Sequence, residues 1–169
     1  MLDCATHLPL PDYYGGVLWS LLMGTRVLKA ESDVSTIRAY AHCSAVPPRT
    51  RGDVRDRTSS TGSDGAGMTV LLLNLDPTMH VNVSLNIGAT MPYERTEWHL
   101  SGPGGANGTS IALNNVTLKV DVEGGRAILP PLAAKPMEVG VADPVQLAPA
   151  SIAFVQVNDA VAIAGCSQL

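Results

Sequence analysis

The hydrophobic positions follow two periods along the chain. In residues 9–28, PLPDYYGGVLWSLLMGTRVL, Tyr14, Val17, Leu18, Leu21 and Leu22 recur at helical spacing, which predicts a helix with one apolar face. Pro11 and Asp12 supply a start and Gly24 a stop. Gly15 and Gly16 lie inside it, and each costs about 1 kcal/mol relative to Ala, so the helix needs a surface to pack on.

From Thr25 onward the spacing shortens to that of strands. TRVLKAE and STIRAYAHCS read as an antiparallel pair turned near Asp33. Residues 45–67 have little apolar content and many turn formers, which predicts a long exposed loop, partly disordered. MTVLLLNLD is an apolar run fit for a central strand, and HVNVSLNI alternates with Val81, Val83, Leu85 and Ile87 on one face. YERTEWHL follows, then VTLKVDV with Val116, Leu118, Val120 and Val122 expected inward. ILPPLAAKP reads as a proline-broken connector, and ASIAFVQVNDAVAIAGC as a closing hairpin turned at Asn158-Asp159. The series predicts a mainly β protein, an antiparallel, Greek-key-like β-sandwich of about eight strands preceded by one helix.

Composition narrows this picture. In 169 residues, 46% are hydrophobic, enough for the core of one domain, and 16 Gly with 12 Pro fit frequent turns. A net charge of −4 argues against a nucleic-acid partner, which needs a basic face. No apolar run is long enough for a transmembrane segment, and MLDCATHLPLPD does not read as a secretion signal.

Little in the sequence points to chemistry of its own. A retaining glycosidase needs two carboxyl groups about 5 Å apart, one protonated and one ionised. Glu94 and Glu97 are close in sequence, but a spacing of three puts them on opposite faces of a strand, and they read as solvated rim charges. His7, His42, His80 and His99 are scattered, so neither a metal site nor a cofactor is expected. No nucleophile elbow, P-loop or dinucleotide fingerprint occurs, and the Gly-rich SGPGGANGTS reads as a loop tip.

Three N-glycosylation sequons stand out, at Asn82, Asn107 and Asn115. Alternation turns Asn82 outward, Asn115 opens its strand, and Asn107 lies in a loop, a placement that fits a secreted glycoprotein and favours a disulfide. Cys43 and Cys166 fall at or near the ends of the second and last strands and are the favoured pair, against the alternative of two buried thiols; Cys4 is left over.

In order along the chain, PDYYGGVLWSLLMGTRVL, IRAYAHCS, VLLLNLD, YERTEWHL, VTLKV, LPPL with KP, APASIAFVQV and the terminal AGC resemble the C-terminal region of heparanase-like glycoside hydrolases, family 79, most closely the plant branch. The resemblance implies a (β/α)8 barrel bearing an acid and a nucleophile glutamate, with a β-sandwich packed against it. Residues 1–24 would be the remnant of the barrel's last loop and helix, and residues 25–169 the sandwich. Both glutamates would fall in segments upstream of residue 1, so no catalytic position carries over. The full-length parent would hydrolyse β-glucuronide bonds, and this chain alone would be inactive.

Cys43 and Cys166 match the positions of a disulfide in that family. The missing barrel is then the expected partner, a carbohydrate is reached only through it, and the parent is expected outside the cell or in a lysosome or vacuole. Peripheral membrane association is compatible with the resemblance. The insertion PPRTRGDVRDRTSSTGSDGAG and Gly15-Gly16 depart from the family pattern. Two alternatives stand beside this reading: a free-standing binding or adhesion module using Arg51-Gly52-Asp53, and an unproductive product whose uncovered helix stripe invites association.

Overall fold

A computed structural model describes residues 2–4, 8–45, 64–88, 93–103, 108–123, 126–132, 135–139, 143–157 and 165–166; for 64–66, 93–94, 126–127 and 135–139 it describes the backbone alone. Helix α1 (Pro11–Leu22) is followed by twelve strands among the described residues: β1 (Met23–Leu28), β2 (Ile37–Ala45), β3 (Asp64–Asn74), β4 (Val81–Val83), β5 (Tyr93–Ser101), β6 (Ala112–Leu113), β7 (Val116–Thr117), β8 (Asp121–Glu123), β9 (Arg126–Ile128), β10 (Lys135–Val139), β11 (Val145–Leu147) and β12 (Ser151–Val157).

The main sheet runs β1-β2-β3-β12-β5-β6-β7, with β10 also pairing β5. Each of these pairings is antiparallel. Strands β4 and β11 form a second, two-stranded sheet, and β8 and β9 a third. The two most continuously apolar segments, β3 and β12, lie side by side at the centre, where both faces are covered.

Alternation sorts the core into two layers. On the inner face, Cys43, Met68, Val70, Leu72, Ala153, Val155 and Val157 pack against Val145 and Leu147 of β11, with Val81, Val83, Leu85 and Ile87 half-buried beside them. This is the sandwich interior, and the period of two in 81–87 holds although only Val81–Val83 joins a ladder. On the opposite face, Leu71, Trp98, Leu100 and Phe154 pack against Tyr14, Leu18 and Leu22 of α1.

The helix therefore does not leave its whole apolar stripe uncovered, as the sequence suggested for an orphan helix. Three of its five predicted stripe residues are buried on the sheet, Val17 is half-buried and Leu21 is exposed. Burying each large apolar side chain contributes about 1.5–3 kcal/mol, which offsets the cost of Gly15 and Gly16. The helix ends at Leu22 and β1 starts at the next residue, without a connecting loop. The Thr69 hydroxyl donates to the Leu22 carbonyl at 2.9 Å, satisfying one of the acceptors a helix end leaves open.

Other expectations shift. VTLKVDV is not one strand: it breaks into β7 and β8, and Val116 and Val122 are 68% and 69% exposed. The Asn114-Asn115 turn folds β7 back on β6 as a short hairpin at the end of the sheet, which leaves Val116 exposed at the edge. The proline-broken connector read at 128–136 is shorter, since Ile128 belongs to β9 and Lys135 and Pro136 to β10, and β12 pairs with β3 and β5. The turn expected at Asn158-Asp159 lies outside the described residues, as does most of the 45–67 loop, whose last residues from Asp64 belong to β3.

Candidate functional site

Strand β5 carries the densest group of ionisable side chains in the described core. Arg95, Glu97 and His99 stand at i, i+2 and i+4, and pair in register with Val157, Val155 and Ala153, so all three point into the sandwich. Arg95 is 1% and Glu97 4% exposed, and the His99 side chain is 24% exposed.

The polar groups are matched. Arg95 Nε donates to Glu97 Oε1 at 2.5 Å, and its Nη1 and Nη2 donate to the Asp143 and Pro144 carbonyls at 2.8 and 3.1 Å. His99 Nε2 donates to Glu97 Oε2 at 2.6 Å. Burial works to raise the Glu97 carboxyl, but the His99 hydrogen bond and the Arg95 charge outweigh it and hold the group below its ordinary value. Glu97 is thus a buried, committed carboxylate, not the solvated rim charge expected. With both oxygens occupied and the proton held off, it is unsuited to act as a general acid.

Two clefts open elsewhere. One, of about 500 Å³, lies between residues 8–10, Tyr14 and the 109–111 and 118–120 segments, with Asp3 as its only carboxylate. The other, of about 720 Å³, enters the sandwich beneath residues 29–33; at its mouth Glu31 is exposed and paired to Lys29 at 2.8 Å. Among the described residues, no group of three or more His, Cys, Asp or Glu is placed to hold a metal.

The remaining site residues separate clearly. Cys43 and Cys166 form a disulfide with their Cα atoms 5.4 Å apart, and Cys4 is an exposed free thiol. Gly165, at φ 95°, makes the turn that delivers Cys166, and its carbonyl accepts a hydrogen bond from Arg26. His42 points away from Cys43, toward the Gly24 carbonyl and the Trp19 ring. Asn82 and Asn115 are exposed, while Asn107, His7 and Arg51-Gly52-Asp53 lie outside the described residues.

No family model matches the chain. It is 30% identical over 171 residues to baicalin-beta-D-glucuronidase of Scutellaria baicalensis, covering 99% of this chain and 28% of that protein. It is 28% identical to heparanase-like protein 3 of Arabidopsis thaliana, covering 95% of this chain and 31% of the relative. The chain is a relative of the heparanase-like proteins. It spans less than a third of the length of these curated relatives. A solved arabinofuranosidase aligns with 73% of this heparanase-like chain and 19% of its own, at a TM-score of 0.44 and 14% identity.

The alternation R-x-E-x-H in YERTEWHL was the signal that could have placed Arg95, Glu97 and His99 on one face of this heparanase-like chain.

Proposed function

We propose that this chain is the helix and β-sandwich portion of a heparanase-like glycoside hydrolase of family 79, whose full-length form cleaves β-glucuronide bonds by a retaining two-glutamate mechanism. In that architecture a (β/α)8 barrel carries the acid and the nucleophile, and the sandwich supports it. The observation that carries the proposal is the match to baicalin-beta-D-glucuronidase, which takes in 99% of this chain and 28% of that protein.

The chemistry of the described residues supports a non-catalytic role. Glu97 is neutralised by Arg95 and tied to His99, and the carboxylates lining the two clefts are Asp3 at one and the exposed Glu31 and Asp33 at the other. Helix α1 leaves Leu21 exposed, and Trp19 partly so where it stands beside His42, an apolar surface that suits contact with the barrel. On this reading the whole protein works outside the cell or in a lysosome or vacuole.

The test is to assay the purified chain on an aryl β-glucuronide. No turnover above a heat-killed control is expected. Turnover that survives repurification would overturn the non-catalytic assignment.

A further inference from the structure

We propose that Asn82 and Asn115 are N-glycosylation sites that the folded protein accommodates without disturbing either core layer. The sequons alone are short patterns; the geometry distinguishes these two. In Asn82-Val83-Ser84, Asn82 and Ser84 are exposed while Val83 is half-buried against the inner core. Asn82 pairs in register with Gln146, also exposed, on the outer face of the β4–β11 sheet. A sugar there extends into solvent.

The second site rests on a contrast between adjacent asparagines. Asn114 and Asn115 both have positive φ, 49° and 68°, and form the two-residue turn between Leu113 and Val116. Asn114 is committed to the fold: its Oδ1 accepts from the His99 amide at 2.9 Å, and its Nδ2 donates to the Glu97 carbonyl at 3.3 Å. Asn115 is exposed, has no side-chain hydrogen bond among the described residues, and Thr117 of the same sequon is exposed as well. Of the two amides, the one inside the sequon is the one left available.

The co-substrate is a lipid-linked oligosaccharide diphosphate. The Asn amide nitrogen forms a bond to the anomeric carbon, the carbon–oxygen bond to the diphosphate breaks, and the diphosphate leaves as the amide gives up a proton. The reaction neither oxidises nor reduces either partner.

The full chain, placed behind a cleavable secretion leader, is expressed in a eukaryotic cell, and its gel mobility is read in total extract before and after peptide N-glycosidase. Ser84→Ala and Thr117→Ala should each remove one enzyme-sensitive step, and the pair should remove both. Ser84→Thr, which keeps the hydroxyl, should retain its step. Altering Thr117 spares the left-handed Asn115, where Gln would add backbone strain. Because total extract is read, a variant that folds poorly still reports. An unchanged pattern in Ser84→Ala or in Thr117→Ala overturns the assignment of that site.

Discussion

The two faces of the main sheet are built on different principles. The helix side is a conventional apolar contact, with Leu18 against Leu71, Trp98 and Phe154. The inner side mixes an aliphatic layer with a buried Arg95–Glu97–His99 chain and a disulfide. Apolar contact is proportional to area and tolerates changes of shape, whereas the buried charges are directional and fail as a unit. The faces should therefore respond differently to equally conservative changes.

The largest effect should come from the inner face. The Cys43–Cys166 bridge spans 123 residues, and replacing both cysteines with Ser should cost about 4 to 5 kcal/mol on loop-closure entropy, read by urea denaturation. Next, Arg95→Ala should cost about 3–5 kcal/mol because it strands a buried carboxylate. Arg95→Lys should also be damaging, since an ammonium cannot reproduce the fork that reaches Glu97, Asp143 and Pro144 at once. On the helix face Leu18→Met should cost less than about 1.5 kcal/mol. Equal losses for Arg95→Lys and Leu18→Met would erase the distinction.

Acidity sharpens the same contrast. Because the folded Glu97 carboxyl lies below its ordinary value of 4.5, the unfolded chain binds more protons between the two values. The stability it contributes is present above pH 4.5 and is lost as the pH falls through the lower, folded value. Thermal melts from pH 6 downward, about the range that brackets carboxylate titration, should show a shallower acid-side decline in Glu97→Gln than in the parent. Identical declines would assign the acid sensitivity elsewhere. The smallest effect belongs to the helix: Gly16→Ala, at an exposed interior position, should stabilise by about 0.5–1 kcal/mol, and a loss would show that this glycine has a packing role.

The central place of MTVLLLN could be read from sequence because it is apolar on both faces, whereas SIAFVQV, which reads as one arm of a closing hairpin, lies between β3 and β5. The Cys43–Cys166 pair is legible in the sequence, but Cys166 sits in a turn beside Gly165 and in none of the described strands. Val116 and Val122 were misplaced because alternation gives a strand two faces without saying which is covered, and the Asn-Asn turn had already taken Val116 to the edge. Glu97 was misjudged for a related reason. Charged residues default to solvent, and its burial depends on Arg95, His99 and two carbonyls at 143–144 that are far away in sequence.

The junction between Leu22 and Met23 has a mechanical consequence. Helix and strand share consecutive residues, and Thr69 clasps the joint from a central strand, so the junction offers no swivel. A body carried on that helix would inherit the attitude of the sheet as a blade inherits that of its handle.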